Sequence, residues 1–181
     1  ERANFDSLTG LPNRRLLMER LELELLKTRR VQLPLAMLFL DLDHFKNVND
    51  TLGHVMGDLL LKETAERLTQ CVRKTDMVAR LGGDEFTIIL SELADMKSVD
   101  RVACDILRKM AEPFFLENEI VYISASLGVT LYPNDAANGP DMLKNADQAM
   151  YEAKKLGRNR YAYFDIGMQE AAINRHKLIK H

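Results

Sequence analysis

Two adjacent carboxylates, Asp84 and Glu85, follow a pair of glycines in the stretch Arg-Leu-Gly-Gly-Asp-Glu-Phe at residues 80–86. The apolar runs 78–81 and 86–90 flank them, so we predict a β-hairpin with a tight turn, because glycine adopts positive φ at no steric cost. Backbone without side chains would let a bulky anionic ligand approach closely, and the carboxylates could hold a metal that bridges to it. An acidic hairpin turn on its own is usually only solvated. The chemistry therefore depends on what else the chain brings to this turn.

A second acidic group lies upstream, where the continuous apolar run 35–40 ends in Asp41 and Asp43. Such a run predicts a strand buried on both faces. Carboxylates at its end are costly to bury unless they are paired or bind a metal. If the strand persists through both residues, we expect Asp41 and Asp43 to face opposite sides of the sheet, so that only one of them can join Asp84. A plain helix cap is the alternative for Asp43 and Asp50, and it is the interpretation we favour for both.

A cleft between the turn and the end of this strand would offer hard oxygen ligands, namely the carboxylates of Asp41 and Asp84 and the carbonyl group of Leu42. Mg²⁺ and Mn²⁺ prefer such ligands, whereas zinc prefers imidazole and thiolate. Glycines beside the metal would let a triphosphate lie against backbone N–H groups. Cations for its phosphates are available from three basic residues, Lys46, Lys154 and Arg158.

Asn49 and Asp58 are a polar pair that could contact the edge of a purine base. A carboxylate that accepts from the N1–H and 2-amino groups favours guanine over adenine. His54 is a further candidate near the base, and a helix cap or a packing role is an equally good interpretation of this histidine.

Five segments, in order along the chain, resemble the motifs of GGDEF domains, the diguanylate cyclases. They are Asp-x-Leu-Thr-Gly-Leu-Pro-Asn-Arg-Arg at 6–15, Asp-x-Asp-x-Phe-Lys-x-x-Asn-Asp at 41–50, Gly-Gly-Asp-Glu-Phe at 82–86, Ser-Leu-Gly-Val at 126–129 and Ala-Asp-x-Ala-Met-Tyr-x-Ala-Lys-x-x-Gly-Arg-Asn at 146–159. The resemblance covers nearly the whole chain, from 6 to 164. It implies a sheet of about five strands related to the catalytic core of nucleotidyl cyclases and palm-type polymerases.

The resemblance also implies a reaction in which two GTP molecules condense to cyclic di-GMP and two pyrophosphates leave. It implies two Mg²⁺ or Mn²⁺ ions in each active site, bound by Asp41, Leu42 and Asp84. The implied catalytic residues are Asp84, Glu85 and Lys46, with Glu85 either deprotonating the 3′-hydroxyl or holding the second metal. The implied substrate-binding residues are Phe45, Asn49, His54, Asp58, Gly82, Gly83, Lys154 and Arg158. One site holds one GTP, so two domains must meet across a two-fold axis, in a homodimer that we expect to be transient.

A possible regulatory site is the segment Arg73-Lys74-Thr75-Asp76, which lies next to the hairpin. It resembles the site through which the product inhibits members of the family, and it predicts feedback inhibition by cyclic di-GMP through Arg73 and Asp76. An ordinary surface ion pair after a helix is the alternative. The family often adds an arginine from the next long helix, and Arg101 and Arg108 are both in range.

The hydrophobic periodicity predicts the elements that position these residues. Helical spacing of apolar residues predicts helices around 17–25, 61–72, 99–110 and 143–153, the first capped by Asn13 and the second preceded by a break at 53–57. Strands are predicted at 35–42, 77–81, 86–90, 121–131 and 160–164, and the alternation in 121–131 predicts a single buried face. This order predicts an α+β fold with a mixed central sheet of about five strands flanked by helices. The resemblance makes its core nucleotidyl-cyclase-like or palm-like (ferredoxin-like), with the acidic strand ends and the GGDEF hairpin at one edge.

The composition is that of one ordinary domain: 181 residues, 46% of them hydrophobic, can bury a normal core. With 25 Lys and Arg against 27 Asp and Glu, nothing favours nucleic-acid binding. No apolar run reaches the roughly 18 residues of a membrane span, and we recognise no signal peptide. We therefore expect a cytoplasmic domain without membrane contact of its own, in a parent protein that other regions could anchor. Cys71 and Cys104 are expected to be buried thiols, with a disulfide as the less favoured alternative.

The chain does not begin with Met, and we expect it to be a piece of a longer multidomain signalling protein. We assign 1–165 to the GGDEF domain and 166–181 to a C-terminal helical connector. The pattern of residues 164–178 resembles the connector to a following EAL phosphodiesterase domain. A plain solvated terminal helix is the alternative.

Three other classes of protein share some of these features. A catalytically silent GGDEF domain would bind GTP only to regulate a neighbour, and a pure cyclic di-GMP receptor would have lost the carboxylates of the turn. Both are disfavoured because Asp84 and Glu85 are present. Polymerases and adenylyl cyclases share the fold, but Asn49 with Asp58 and the glycine turn favour guanine chemistry.

Overall fold

The computed structural model describes residues 3–165 and 167, which form five helices and seven strands. In chain order they are α1 (Arg14–Val31), β1 (Leu35–Asp43), α2 (Phe45–Leu52), α3 (His54–Gln70), β2 (Met77–Gly82), β3 (Glu85–Leu90), α4 (Lys97–Ala111), β4 (Phe114–Leu116), β5 (Glu119–Val121), β6 (Ser124–Tyr132), α5 (Gly139–Lys155) and β7 (Arg160–Tyr163). The predicted connector at 166–181 lies outside the described residues apart from position 167.

The central sheet has five strands in the order β2-β3-β1-β6-β7. Neighbouring strands are antiparallel except for β6 and β7, which are parallel. The predicted α+β fold with a mixed five-stranded sheet is therefore confirmed. All residues of the central strand β1 are buried, as its continuous apolar run predicted.

Helices cover both faces of the sheet. Alternate residues of β1 point to opposite faces, and two hydrophobic clusters follow from this. One cluster joins β1 residues such as Leu38 and Leu40 to α2, α3 and α4. The other joins Met37 and Phe39 to α1 and α5. Asp41 continues the second set, so its side chain belongs to the face that α5 covers.

Local signals explain where the first and last long helices begin. The side chain of Asn13 accepts a hydrogen bond from the amide of Leu16 at 3.1 Å, which confirms the predicted N-cap of α1. Asn138 does the same for α5 by accepting from the amide of Asp141 at 2.9 Å. The position of α5 is important because its last turn carries Lys154, one of the predicted phosphate-binding residues.

The structure differs from the sequence expectation at α2, in the β4–β5 sheet, at the start of α3 and in β6. The short helix α2 and the small β4–β5 sheet were not predicted, and Val121 belongs to that small sheet. The predicted break is present at Gly53, between α2 and α3, but it does not extend to Gly57, which lies inside α3. The prediction that β6 has one buried face is wrong, because its small residues Gly128 and Thr130 are buried against α5.

Two further expectations can be checked within the described part of the chain. Both cysteines are free, with Cys71 partly buried and Cys104 exposed, so the expectation of two buried thiols is wrong. No described helix is both long enough and apolar enough to cross a membrane.

Candidate active site

Asp41 lies near the end of β1, where Glu85 of β3 and Ser126 of β6 are its cross-strand neighbours. The residue is only 8% exposed, and Lys154 of α5 donates a hydrogen bond to its Oδ2. The other oxygen, Oδ1, is buried and has no hydrogen-bond partner among the described residues. A buried carboxylate oxygen without a partner is unfavourable. This atom is therefore suited to a ligand that the protein itself does not provide.

The hairpin turn between β2 and β3 is built from glycine backbone. Gly82 has φ 146° and Gly83 has φ 48°, values that residues with a Cβ rarely adopt. The amide of Leu42 donates to the carbonyl oxygen of Asp84 at 3.4 Å, which ties the turn to the end of β1. The Asp84 carboxylate lies beside that of Asp41.

Arg80 fastens the turn to the N-terminal loop, a link that was not predicted from the sequence. Its Nε and Nη2 donate to the carbonyl oxygen of Gly83 at 3.0 and 2.8 Å, and its Nη1 donates to Asp6 Oδ1 at 2.9 Å. Asp6 also accepts from the amide and hydroxyl of Thr9, at 2.8 and 2.7 Å. Asp6 and Thr9 belong to the motif at 6–15. The contact with Arg80 was not predicted because Arg80 lies 74 residues away along the chain.

Burial and the Asp41 carboxylate raise the pKa values of three neighbouring carboxylates, Asp84, Glu85 and Asp147. Burial, followed by the neighbouring Asp41 carboxylate, raises the pKa of Asp84 to about 7. Burial and then repulsion from Asp41 also raise the pKa of Glu85 and of Asp147, while Lys154 opposes both shifts. Asp147, on α5, is a residue of this cluster that had no predicted role. A cation bound between these carboxylates would relieve their mutual repulsion.

The oxygen ligands fit Mg²⁺ or Mn²⁺ in a site that a bound nucleotide would complete. Within residues 3–165 and 167, no group of three or more His, Cys, Asp and Glu side chains forms a complete metal site. Mg²⁺ is usually bound in proteins through one or two carboxylates together with substrate phosphates. Asp41, with its unpartnered Oδ1, and Asp84 can supply those carboxylates. Leu42, whose carbonyl group is the third predicted ligand, follows Asp41 on the same strand.

The predicted base-binding residues cluster where α2 meets α3. Asn49 packs so closely against Gly57 that a Cβ there would lie 1.8 Å from Asn49 Oδ1 and 3.4 Å from Phe45 Cζ. Position 57 must therefore be glycine for Asn49 to keep this conformation. His54 and Asp58 are exposed in the first turns of α3. A glycine occupies the N-cap position of α3, without a side-chain hydrogen bond, so the cap interpretation of His54 is wrong.

The three predicted phosphate-binding cations lie around the same end of the sheet. Lys154 contacts Asp41 from the last turn of α5. Arg158 lies in the turn that follows α5, with its Nε 4.0 Å from Asp43 Oδ1. Lys46 is exposed in the first turn of α2. Lys154 and Arg158 are thus each held by an aspartate of β1, whereas Lys46 is solvated.

Asp43 and Asp50 differ from the sequence expectation. β1 continues through Asp43, and residues two apart on a strand share a face, so the expectation that Asp41 and Asp43 face opposite sides is wrong. Asp43 instead accepts hydrogen bonds from the hydroxyls of Ser124 and Ser126, at 2.6 and 2.7 Å. Asp50 lies inside α2. Neither aspartate is the predicted helix cap.

Arg73 and Asp76 meet at the far end of the β2–β3 hairpin. Arg73 donates to Asp76 Oδ1 at 2.9 Å, to Asp76 Oδ2 at 3.2 Å and to the carbonyl oxygen of Ser91 at 2.6 Å. The Asp76 side chain is 2% exposed, whereas that of Arg73 is 58% exposed. A cavity of about 190 Å³ is lined by both residues and by Arg101. Of the two arginines in range, Arg101 lines this cavity and Arg108 does not.

The family model described as "Diguanylate cyclase, GGDEF domain" matches residues 3–160. The chain belongs to the GGDEF domain family. This GGDEF domain is 44% identical over 177 residues to MucR of Pseudomonas aeruginosa, a bifunctional diguanylate cyclase/cyclic di-GMP phosphodiesterase. The match covers 98% of this chain and 26% of MucR, so the chain spans about a quarter of that relative.

Solved structures of GGDEF domains have the same fold. The GGDEF domain of TpbB from Pseudomonas aeruginosa is 38% identical, with a TM-score of 0.90 over 93% of this chain and 98% of that one. The GGDEF domain of DgcB from Caulobacter crescentus, solved in complex with c-di-GMP, is 28% identical, with a TM-score of 0.78 over 90% of this chain and 94% of that one. The predicted family and its palm-like core are confirmed.

Proposed function

We propose that this GGDEF domain is a diguanylate cyclase that condenses two GTP molecules into cyclic di-GMP and releases two pyrophosphates. The observation that supports this most directly is that Asp84 of the glycine turn lies beside Asp41, which Lys154 contacts. Two carboxylates and an ammonium group at the end of one strand could bind a triphosphate together with its metal ions. The membership of the family supports the choice of GTP as substrate.

Asn49 and Asp58 bind the guanine base in this proposal. The Asp58 carboxylate accepts from the N1–H and 2-amino groups, and adenine has neither of these donors in the same place. The close packing of Asn49 on Gly57 supports a fixed amide at this position. Phe45 and His54 form the surrounding wall.

The triphosphate lies between the turn and the end of α5. Backbone N–H groups of Gly82 and Gly83 face it, and Lys154, Arg158 and Lys46 supply positive charge. Lys154 already contacts Asp41, so the ammonium group is held where phosphate and metal would meet. This arrangement holds the α-phosphorus in place for in-line attack.

Asp41, Asp84 and the carbonyl group of Leu42 would hold two Mg²⁺ or Mn²⁺ ions per active site. Bound there, the ions would neutralise phosphate charge and stabilise the entering and leaving oxygens. Glu85 would accept the proton of the 3′-hydroxyl, or would hold the second ion, in which case the proton would pass to solvent. The 3′-oxygen forms a bond to the α-phosphorus of the other nucleotide as the bond from that phosphorus to the bridging oxygen breaks, and pyrophosphate leaves.

Catalysis takes place in a transient homodimer, since each site binds one GTP and each product molecule contains two guanylates. The two domains face each other across a two-fold axis, so that each 3′-hydroxyl attacks the nucleotide of the other domain. We place the reaction in the cytoplasm, where GTP is available, without nucleic acid and without membrane contact by this domain. The length of relatives such as MucR supports a longer signalling protein around it.

Cyclic di-GMP also acts as a feedback inhibitor in this proposal. It binds the cavity lined by Arg73, Asp76 and Arg101, where the half-exposed Arg73 guanidinium can contact a guanine edge or a phosphate. The buried Asp76 carboxylate holds Arg73 in position. Asp76 contributes mainly by orienting that arginine.

Incubating the purified domain with GTP and Mg²⁺, and separating the nucleotides by chromatography, tests the proposed reaction. We expect cyclic di-GMP and pyrophosphate in a ratio of one to two, no product from ATP, and none after chelation of the metal. Binding of GTP without any cyclic product would refute the cyclase and favour a regulatory domain.

Recognition of the base is tested by Asp58→Asn. This variant should bind GTP at least about tenfold more weakly, because an amide cannot accept from both guanine donors. Its weak affinity for ATP should change much less. An equal loss for both nucleotides would show that Asp58 supports the fold and does not recognise guanine.

A further inference from the structure

Asp43 is a buried carboxylate for which the proposed mechanism has no role. It is 1% exposed and lies two residues after Asp41 on β1. Its Oδ1 accepts from the hydroxyl of Ser126 at 2.7 Å, and its Oδ2 accepts from the hydroxyl of Ser124 at 2.6 Å and from the amide of Asn159 at 3.1 Å. Both oxygens are therefore engaged, in contrast to the unpartnered Oδ1 of Asp41. Asp43 is held by protein donors, as a buried carboxylate must be.

The Asn159 amide belongs to a turn with an unusual backbone. Gly157, Arg158 and Asn159 have φ values of 129°, 63° and 49°. Residues other than glycine rarely adopt positive φ, and two in succession persist only when surrounding contacts hold them. The hydrogen bond from Asn159 to Asp43 is such a contact, and Arg158 Nε lies 4.0 Å from the same carboxylate.

This turn determines where the Arg158 side chain lies. α5 ends at Lys155, so Lys154 is fixed by the helix, whereas Arg158 lies beyond it. The Arg158 side chain is 46% exposed, so its N–H donors can reach a ligand while it faces the fully buried Asp43 side chain. Asp41 and Asp43 thus hold neighbouring cations at the same strand end.

We propose that Asp43 is a positioning residue of the cyclase: it holds the Arg158–Asn159 turn so that the Arg158 guanidinium faces the phosphates of GTP. The proposal rests on the proposed function, in which Arg158 binds those phosphates. It assigns Asp43 neither to the metal nor to the base. Replacing Asp43 should therefore weaken the binding of a ligand that carries phosphates and should leave the binding of a ligand without phosphates unchanged.

The test compares two ligands by calorimetry in the presence of Mg²⁺, using the full 181-residue chain. One is a GTP analogue with a non-cleavable α,β-methylene bridge, and the other is guanosine. Asp43→Asn should weaken the analogue at least about tenfold, the size expected for loss of one charge-assisted contact. Its affinity for guanosine should stay within about twofold of wild type, a difference too small to correspond to a lost hydrogen bond.

A double-mutant cycle with Arg158→Ala identifies the residue through which Asp43 acts. If Asp43 acts through Arg158, the losses caused by the two substitutions will not add in the double variant. Additive losses, an unchanged affinity for the analogue, or equal losses for analogue and guanosine would each overturn the proposal.

Two further variants separate positioning from general loosening of the fold. Asn159→Pro removes the donor to Asp43 and excludes positive φ at an exposed residue, so it tests the turn even if Asp43→Asn does not fold. It should show the same selective loss, and unchanged affinity for the analogue would overturn the proposal. Asp135→Asn is the matched control: Asp135 accepts from the amide of Leu131 at 2.9 Å at the opposite end of the sheet, and both affinities should stay at the wild-type level.

These outcomes are distinct from failure of the proposed function. A wild-type domain that binds the analogue but makes no cyclic di-GMP would refute the cyclase, while the binding data would still decide the role of Asp43. A wild-type domain that binds no analogue would overturn both.

Discussion

Asp41 and Asp84 lie side by side at the end of the central strand β1, although their negative charges repel each other. Lys154 partly compensates Asp41, but the pKa of Asp84 rises to about 7 because burial and Asp41 both disfavour its charged form. Strongly perturbed pKa values of this kind cluster at functional sites. The energetic cost of this pair and its proposed chemistry therefore have the same origin.

Asp84→Asn should separate the two effects. We expect synthesis of cyclic di-GMP to fall at least about 100-fold, because the variant lacks a charged group where transition-state charge must be stabilised. The free energy of unfolding without metal should be unchanged or higher, because the repulsion with Asp41 is gone. Chromatographic assay and thermal unfolding in a chelator measure the two quantities. Activity within a few-fold of wild type would contradict the metal-ligand assignment.

The pKa of Asp84 also predicts how the metal-free domain responds to pH. The folded-state pKa of about 7 lies above the ordinary value of 3.8, so folding favours the protonated form. The stability contributed by this group is full below about pH 4 and is lost as the pH rises through about 7. Unfolding in chelator should thus show wild type losing stability relative to Asp84→Asn across this window, and added Mg²⁺ should reduce the difference at pH 8. A difference that does not vary with pH would contradict the prediction.

At the scale of elements, β6 and α5 form a closely packed pair that positions Lys154 and Asp147. A Cβ on Gly128 of β6 would lie 2.0 Å from the carbonyl oxygen of Ala146 and 2.2 Å from the amide nitrogen of Met150. Those atoms are helix backbone and cannot move independently. The glycine therefore sets the distance between α5 and the sheet.

Gly128→Ala should force α5 away from the sheet. We expect a loss of about 1–3 kcal/mol in the free energy of unfolding, the range for overpacking, together with lower activity because Lys154 moves with the helix. Gly139→Ala is the control, because the atoms nearest to a Cβ there are the ends of flexible side chains, Glu22 Oε1 at 2.9 Å and Leu21 Cδ2 at 3.0 Å. Urea unfolding of both variants measures the difference. Equal stability of the two variants would show that α5 can shift without cost.

The elements that could be predicted from the sequence are those with a strong local signal. The continuous apolar run of β1, the glycine turn and the Asn13 cap are all local, and all were correct. The second buried face of β6 was missed because small residues such as Gly128 and Thr130 look exposed until α5 covers them. The hydrogen-bond partners of Asp43 were also missed, because they lie 81 to 116 residues away along the chain.

At the scale of the whole molecule, the turn and the proposed product site lie at opposite ends of one hairpin. β2 runs from Met77, next to Asp76, to Gly82. Six strand residues span about 20 Å, so product bound at Arg73 would not occupy the substrate cleft. In the proposed mechanism, product bound at this site would inhibit by changing the arrangement of the two domains, because a ligand there would not touch GTP.

Arg73→Ala should therefore relieve inhibition by cyclic di-GMP, while turnover extrapolated to zero product stays within about twofold of wild type, a change that corresponds to less than one net hydrogen bond. In wild type we expect cyclic di-GMP to lower kcat without raising the KM for GTP, which is non-competitive inhibition.

Arg101→Ala should weaken product binding as well, since Arg101 lines the same cavity. Arg108→Ala is the matched control: this arginine lies on the same helix but does not line the cavity, and feedback should persist without it. Calorimetric titration of cyclic di-GMP into the four proteins measures the affinities. Unchanged affinity in Arg73→Ala would leave Arg73 and Asp76 as an ordinary surface ion pair.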